Sequence, residues 1–527
     1  MVLANLLPRL KSLRPSPGLL ALVVCLISLA GAGLVSTYVF DRVPHAEDEV
    51  AFLFQARTMA SGHLLAGAPK LPEFFFMPFI ILRDGHWFGK YPPGFPAALA
   101  LGELFGQPWL INPLFGALSV GLVYLAGRRF YGAPTGLMAA ALAIISPFFL
   151  LQAGSFLSHV VTLFWTLAFV LFFDTARRER SRTAAAVAGA ALGMVLLSRP
   201  LTAVGMAAPF VFWAAFDILR VRRRLLDYLP LVAAFLPFLA GLLLYNRLTT
   251  GDPLRSAYEL WWPYDRVGFG TGIGIRGNHT LEDGLFETNL NIEALADYLY
   301  GWPSRLSLVP AFLAAGLGVV RLVRRGILRV AGAAGHATTS ADAWDMLQVG
   351  LIVSLVGVHV AYWAAGQMYG PRYYFEAMGA LLLLSARGIF QAADIVSVVL
   401  RLTARRLRAP RAWATGLALS VTAGLAIYSL TSFAPQEFGR FKGWYSVDSS
   451  GLRVVEAAKP RNAVVFVEQE YWTGYAPFFS QNAPSLDGEV VYVIDLGPNR
   501  NADLMALYPG RAFFRYAQGQ LEGMEQP

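Results

Sequence analysis

Apolar residues gather along this chain in runs of the length that crosses a bilayer. A transmembrane helix needs about 20 consecutive apolar residues, and cutting the sequence at that length gives about eleven candidate spans. They lie at 18–40, 109–127, 134–153, 156–173, 184–197, 201–219, 228–245, 304–322, 347–365, 374–393 and 413–433, the fifth being the shortest. The first run is longer than the roughly 7–15 apolar residues of a signal peptide, so a retained anchor is expected. Between the first two runs, Val50, Leu53, Phe54, Ala56 and Met59 recur at near-helical spacing until Gly62. That spacing predicts an amphipathic helix over 48–61, lying at the membrane interface with Asp48 at its start.

After about residue 434 the pattern changes. "NAVVFVEQ" and "EVVYVIDLG" are short apolar, β-branched runs bounded by Asn, Gly and Pro, as buried strands of an α/β sheet are. "NADLMALYPG" reads as a short helix between the second of these and "RAFFRYAQG". The expectation is an all-α polytopic membrane part over 1–433 and a small α/β soluble domain over 434–527, propped against it.

Composition agrees with the pattern. Of 527 residues 56% are hydrophobic and 15% charged, against about 25% charged in soluble domains. The net charge of +9 raises the question of nucleic acid. The basic residues, however, come in short clusters between apolar runs rather than along one face, which excludes a nucleic-acid footprint and points to the bilayer as partner. Clusters before residue 15, at 128–129, 177–182, 220–224, 321–329 and 401–411 hold 22 of the 43 Lys and Arg on one side of the chain's path. That side is expected to be cytoplasmic. The long outer loops, 41–108 and 246–303, and the C-terminal part then share the extracytoplasmic face. Cys25, the single cysteine, excludes an intrachain disulfide.

The polar residues worth chemistry fall on that outer face. "HAEDEV" places Glu47, Asp48 and Glu49 together; as a capping group one Asp suffices, with Glu49 suiting the helix dipole. "GKYPPGFP" sets Lys90 and Tyr91 before a stiff Pro-Pro turn, and "YGPRYYFEA" sets Arg372 and Tyr373 at the outer end of a late span. Both cations suit snorkelling anchors, or a clamp on a lipid phosphate. A transporter or flippase of lipid-linked sugars is the alternative class, yet it calls for ionisable groups near the midplane, often in two related halves. No such repeat is present, and the charge is one-sided.

The acidic pair after the first span, the Lys-x-Pro-Pro segment and the late Arg-Tyr, in that order, resemble the GT-C membrane glycosyltransferases. Within them the chain is similar to the protein O-mannosyltransferases and lipid A aminoarabinose transferases over about residues 18–400. The resemblance implies an inverting enzyme that moves a sugar from a polyprenyl-phosphate donor to a glycan, lipid or protein acceptor on the outer face. It implies Asp48 as catalytic acid residue with Glu49 beside it, and Lys90 and Arg372 at the donor phosphate. Tyr91 and Tyr373 stand next to them as substrate-binding candidates. Where many relatives carry an Asp at the start of the fourth span, this chain has His159 in "GSFLSHVVTLF", either a substrate contact or a helix-end histidine bonded to backbone.

The loop "WWPYDRVGFGTGIGIRGNHT" is rich in Gly and aromatics and suits a mobile cover stacking on sugar, with Trp261, Asp265 and His279 as further candidates. Its WWPYD superficially resembles the acceptor motif of oligosaccharyltransferases. That motif belongs to their C-terminal globular domain, so the match reads as accidental. Asp265 and His279 lack zinc-type spacing, and no metal or other cofactor is expected.

Overall fold

The computed structural model describes residues 15–330, 340–403 and 409–525. Each apolar run is carried by a helix: Pro17–Tyr38, Ile111–Tyr131, Ala133–Ile144 with Pro147–Gly154, His159–Glu179, Arg182–Ser198, Pro200–Arg220, Leu225–Thr250, Val309–Val330, Ser340–Val360, Met378–Thr403 and Pro410–Tyr428. Among the described residues nine helices are long and apolar enough to cross a membrane, or ten if one bent pair counts as a span. The expected eleven reduces in two places. The fifth run makes a helix of only 17 residues. The third is broken and bent by 64°, because Pro147 lacks an N–H to continue the ladder and the Ser146 hydroxyl accepts from the Phe149 N–H at 3.1 Å, starting a new helix.

Small residues let these helices touch backbone to backbone, as lipid supplies no hydrophobic drive between them. A Cβ on Gly388 would overlap the Pro310 carbonyl, and one on Gly189 the Leu231 carbonyl. At the ends carrying the basic clusters, carboxylates inside the bundle are paired. Asp174 meets Arg129 at 2.5 Å and Arg178 at 2.7 Å, and Asp217 meets Arg177 at 2.6 Å. Arg9, Lys11, Arg14, Arg405, Arg406 and Arg408, counted in the charge asymmetry, lie outside the described residues, as does the Arg329 side chain.

Segment 41–108 is more structured than its sequence suggested. It holds the helix Glu47–Ala60, a three-stranded antiparallel sheet (Ala66–Gly67, His86–Gly89, Ile80–Arg83) and the helix Gly94–Glu103. Asp84 and Gly85, both at positive φ, form the two-residue turn of its hairpin. The helix begins one residue earlier than expected, and it is not amphipathic: Val50 through Ala56 and Thr58 are all buried.

The C-terminal sheet has the order Val490–Ile494, Ala463–Val467, Ala512–Ala517, Gln520–Met524. The first three strands are parallel, Val465 facing Tyr492 on one side and Phe514 on the other. The last is antiparallel, added through a turn in which Gln518 and Gly519 both have positive φ, and the hydrophobic pattern did not reveal it. The sheet domain rests on the outer loop: Phe479 packs on Phe54 and Trp87 at 5.8 and 5.7 Å, and Arg500 pairs with Glu73.

Candidate active site

The three acids at 47–49 divide their work. Ala46 is the N-cap residue and has no side-chain acceptor. Glu49 supplies the cap from within the helix, its Oε2 accepting from the His45 and Ala46 N–H groups at 2.6 and 3.3 Å. Its Oε1 accepts from the Phe156 N–H at 3.1 Å, tying this helix to the segment that leads into His159–Glu179. Burial pushes the Glu49 carboxyl up to about 7, against the pull of those backbone donors. Glu49, expected beside Asp48 in the chemistry, does not line the cavity described below, and its contacts are with these backbone N–H groups.

Because Glu49 makes the cap, Asp48 is released from it. Its side chain, 15% exposed, points into a cavity of about 760 Å³ shared with Lys90 and Arg372. The Tyr91 hydroxyl donates to Asp48 Oδ1 at 2.6 Å, and Arg372 Nη1 lies 3.4 Å from Oδ2. Burial raises the Asp48 carboxyl, but Arg372, Lys90 and the Tyr91 bond outweigh it and leave the group below its ordinary value. Tyr91, buried beside that carboxylate, is held well above the usual tyrosine range and so remains a donor. Gln55, two turns further along the same face of the helix, donates from Nε2 to the Tyr91 carbonyl at 2.8 Å and to the Tyr245 hydroxyl at 2.8 Å.

Lys90 sits in an aromatic box. Its Nζ is 3.5 Å from the Phe79 ring centre and 4.3 Å from that of Trp262, with Tyr258 and Tyr91 at 5.3 and 5.4 Å. The nearest carboxylate, Asp265 Oδ2, is 3.9 Å away. Burial lowers the ammonium to about 8, partly countered by Asp48 and Asp265. Lys90 is therefore desolvated and facing the cavity, unlike a snorkelling anchor.

His159 lines the same cavity, and it is bonded to side chains rather than to backbone. Arg199 Nη1 lies 3.4 Å from Nε2, and Nδ1 is 3.1 Å from Glu376 Oε1. As an arginine can only donate, Nε2 accepts and the Nδ1–H donates to Glu376. Arg199 Nε also meets Glu376 Oε1 at 3.3 Å. The guanidinium lies 5.3 Å from the Tyr373 ring centre, with Arg372 at 5.4 Å from the same ring. The sequence reading missed Arg199 and Glu376. Arg199 stands alone before Pro200 between two apolar runs, away from every basic cluster, and that isolation was the available signal.

Of the cover-loop candidates, Asp265 lines the cavity; Trp261 and His279 do not. Trp261 packs on Phe76 and Phe79, leaving its neighbour Trp262 to face inward. His279 stacks on Phe269 at 5.4 Å with Nε2 at 3.1 Å from the Val360 carbonyl. Among the described residues no three His, Cys, Asp or Glu side chains converge as a metal site would require.

Residues 93–245 match the family described as dolichyl-phosphate-mannose-protein mannosyltransferase, and residues 463–522 match a domain of unknown function. No curated protein matches the chain by sequence. Its fold is similar to that of ArnT from Cupriavidus metallidurans bound to undecaprenyl phosphate, with a TM-score of 0.54 at 13% identity over 94% of this chain and 92% of that one. The Archaeoglobus fulgidus oligosaccharyltransferase tethered with an acceptor peptide gives a TM-score of 0.51 at 14% identity, covering 91% of this chain and 65% of that longer one. The chain thus shares its fold with these two proteins, has nine or ten helices among its described residues long and apolar enough to cross a membrane, and matches the dolichyl-phosphate-mannose-protein mannosyltransferase family over residues 93–245.

Proposed function

We propose that the protein transfers a sugar from a polyprenyl-phosphate donor to an acceptor hydroxyl on the extracytoplasmic face, with inversion at the anomeric carbon. The observation that carries this reading is the convergence of Asp48, Lys90 and Arg372 on one cavity, from segments that are far apart in sequence. Orientation rests on the basic clusters, which lie at the helix ends opposite the cavity: His159–Glu179 starts at the cavity and ends in Arg177 and Arg178.

Asp48 takes the proton of the acceptor hydroxyl as its oxygen attacks the anomeric carbon. Lys90 and Arg372 stabilise the charge that grows on the departing phosphate. In the free site Arg372 holds the Asp48 carboxyl low. A phosphate that draws the guanidinium to itself leaves the carboxylate a better base, so donor binding prepares Asp48 for the acceptor. Tyr91 orients Asp48, and the aromatic rings of Tyr373 and Trp262 offer faces for a sugar.

The test is incubation of purified protein with a panel of polyprenyl-phosphate sugars and candidate acceptors, with mass spectrometry of the products. Transfer by wild type and its loss in Asp48→Asn are expected. Transport of lipid-linked sugar across vesicles without any product would overturn the reading.

A further inference from the structure

Asp265 poses a problem for a phosphate site, because it sets a second fixed carboxylate against the lysine that would hold the phosphate. It cannot swing aside: its Oδ1 accepts from the Tyr362 hydroxyl at 2.8 Å and from Trp363 Nε1 at 3.0 Å, and its side chain is 2% exposed. The loop behind it is stitched to the same segment, the Gly268 N–H donating to the Ala361 carbonyl at 2.7 Å. Lys90 is equally confined, with Phe79 and Trp262 on its faces.

The charge balance of the proposed transfer gives this carboxylate a use. The donor is a phosphodiester with one negative charge. When its C1–O bond breaks, both electrons stay on the phosphate oxygen, the acceptor oxygen bonds C1, and the acceptor proton passes to Asp48 and then to water. The spent lipid is a phosphomonoester, whose second proton leaves with a pKa of about 6. Donor and product thus differ at neutral pH by one negative charge at the phosphate.

We propose that Asp265 sets the site's preference for the singly charged phosphodiester over the doubly charged monoester, so that the spent carrier lipid is released rather than retained. This inference rests on the donor reading above. While Asp48 holds the acceptor proton, Lys90 and Arg372 outweigh Asp265 and stabilise the leaving phosphate; once that proton has passed to water, Lys90 and Arg372 against Asp48 and Asp265 sum to zero, so the resting wild-type site gains nothing from a second phosphate charge. Without Asp265 the sum is positive and the dianion is favoured. Of the other charged groups nearby, Glu47 also acts on Lys90 and Arg372 from the start of the helix that carries Asp48, and the rest are partnered elsewhere: Arg266 with Glu259 at 2.9 Å, and Arg199 and His159 with Glu376. His359 is bonded to the Leu355 carbonyl, and Tyr258, Tyr264 and Tyr362 are the hydroxyls facing the carboxylate. All of these remain in Asp265→Asn, which also keeps an acceptor for Tyr362 and Trp363, so comparing the two proteins at each pH cancels their titration.

Binding of a polyprenyl phosphate and of its monomethyl phosphodiester, with the same tail in the same detergent, is measured at pH 5 and pH 7.5. In wild type the ratio of monoester to diester affinity should stay within about twofold across that range. In Asp265→Asn the ratio should match wild type at pH 5 and rise about tenfold at pH 7.5, with stronger product inhibition. The same ratio in both proteins at both pH values overturns the inference and leaves the donor reading standing. If neither lipid binds wild type, the donor reading falls and this inference with it. Should the variant not fold, a wild-type ratio that rises tenfold between the two pH values is enough to refute the proposal.

Discussion

Asp48 and Glu49 are adjacent carboxylates with opposite expected responses to loss of charge. In Asp48→Asn the side chain keeps its shape and still accepts from Tyr91, while Arg372 loses its counter-charge. At 3.4 Å and an effective dielectric of about 20, that attraction is about 5 kcal/mol. Desolvation of the two charges offsets most of it, and the cavity admits water, so the net stability loss is expected at about 1–3 kcal/mol. The loss of turnover is expected to be larger, about 10²–10⁴-fold, because the proton acceptor is gone. That corresponds to about 3–5 kcal/mol on the barrier. Glu49→Gln keeps one acceptor but weakens three charge-assisted bonds to backbone N–H groups, and should cost about 1.5–3 kcal/mol of stability with a much smaller effect on turnover at a temperature where it is folded. The assay pairs donor turnover with thermal unfolding of the same detergent preparation. Near-normal transfer by Asp48→Asn refutes the assignment of the base. Equal loss of turnover in Glu49→Gln with unchanged thermal stability would show that the two acids act together, against the division of roles drawn from their contacts.

Lys90 should give kcat/KM of the free protein an alkaline limb near pH 8, since the ammonium must carry its proton to hold a phosphate; Lys90→Met should remove that limb and raise the donor KM, and an unchanged profile would exclude the lysine from the donor site. Glu376→Gln should lower thermal stability by about 3–5 kcal/mol, as Arg199 and His159 lose a buried partner, and Arg199→Met in the same chain should restore part of it in a double-mutant cycle. Gly388→Leu should prevent the close approach to Pro310 and reduce folded yield, whereas Gly424→Leu, with open space at its Cβ, should be tolerated. Phe479→Ala should cost about 3–5 kcal/mol through its packing on Phe54 and Trp87, read as a lower unfolding temperature.

The sequence by itself determined what depends on local spacing. Helix-length apolar runs must bury their backbone in hydrogen bonds within the segment, so their order and the basic clusters between them could be read directly, whereas the expected eleven spans came to nine or ten among the described residues, one run being too short and one bent. Continuous β-branched runs such as 463–467 and 490–494 announced buried strands of an α/β sheet, whose parallel pairing the structure supplied. What escaped was set by pairing between distant segments. Whether Asp48 or Glu49 capped the helix depended on the Phe156 N–H arriving from another span. Whether Trp261 or Trp262 faced the cavity depended on where Phe76 and Phe79 stood. Lys90 looks in sequence like any cation at a helix end, and only the approach of Phe79, Trp262 and Asp265 makes it a desolvated charge in a cavity. Arg199 shows locally only as a lone charge between apolar runs, and Glu376 shows not at all, because each is stabilised by the other across the bundle. An isolated charge beside a membrane is costly, and the tertiary structure decides which partner removes that cost.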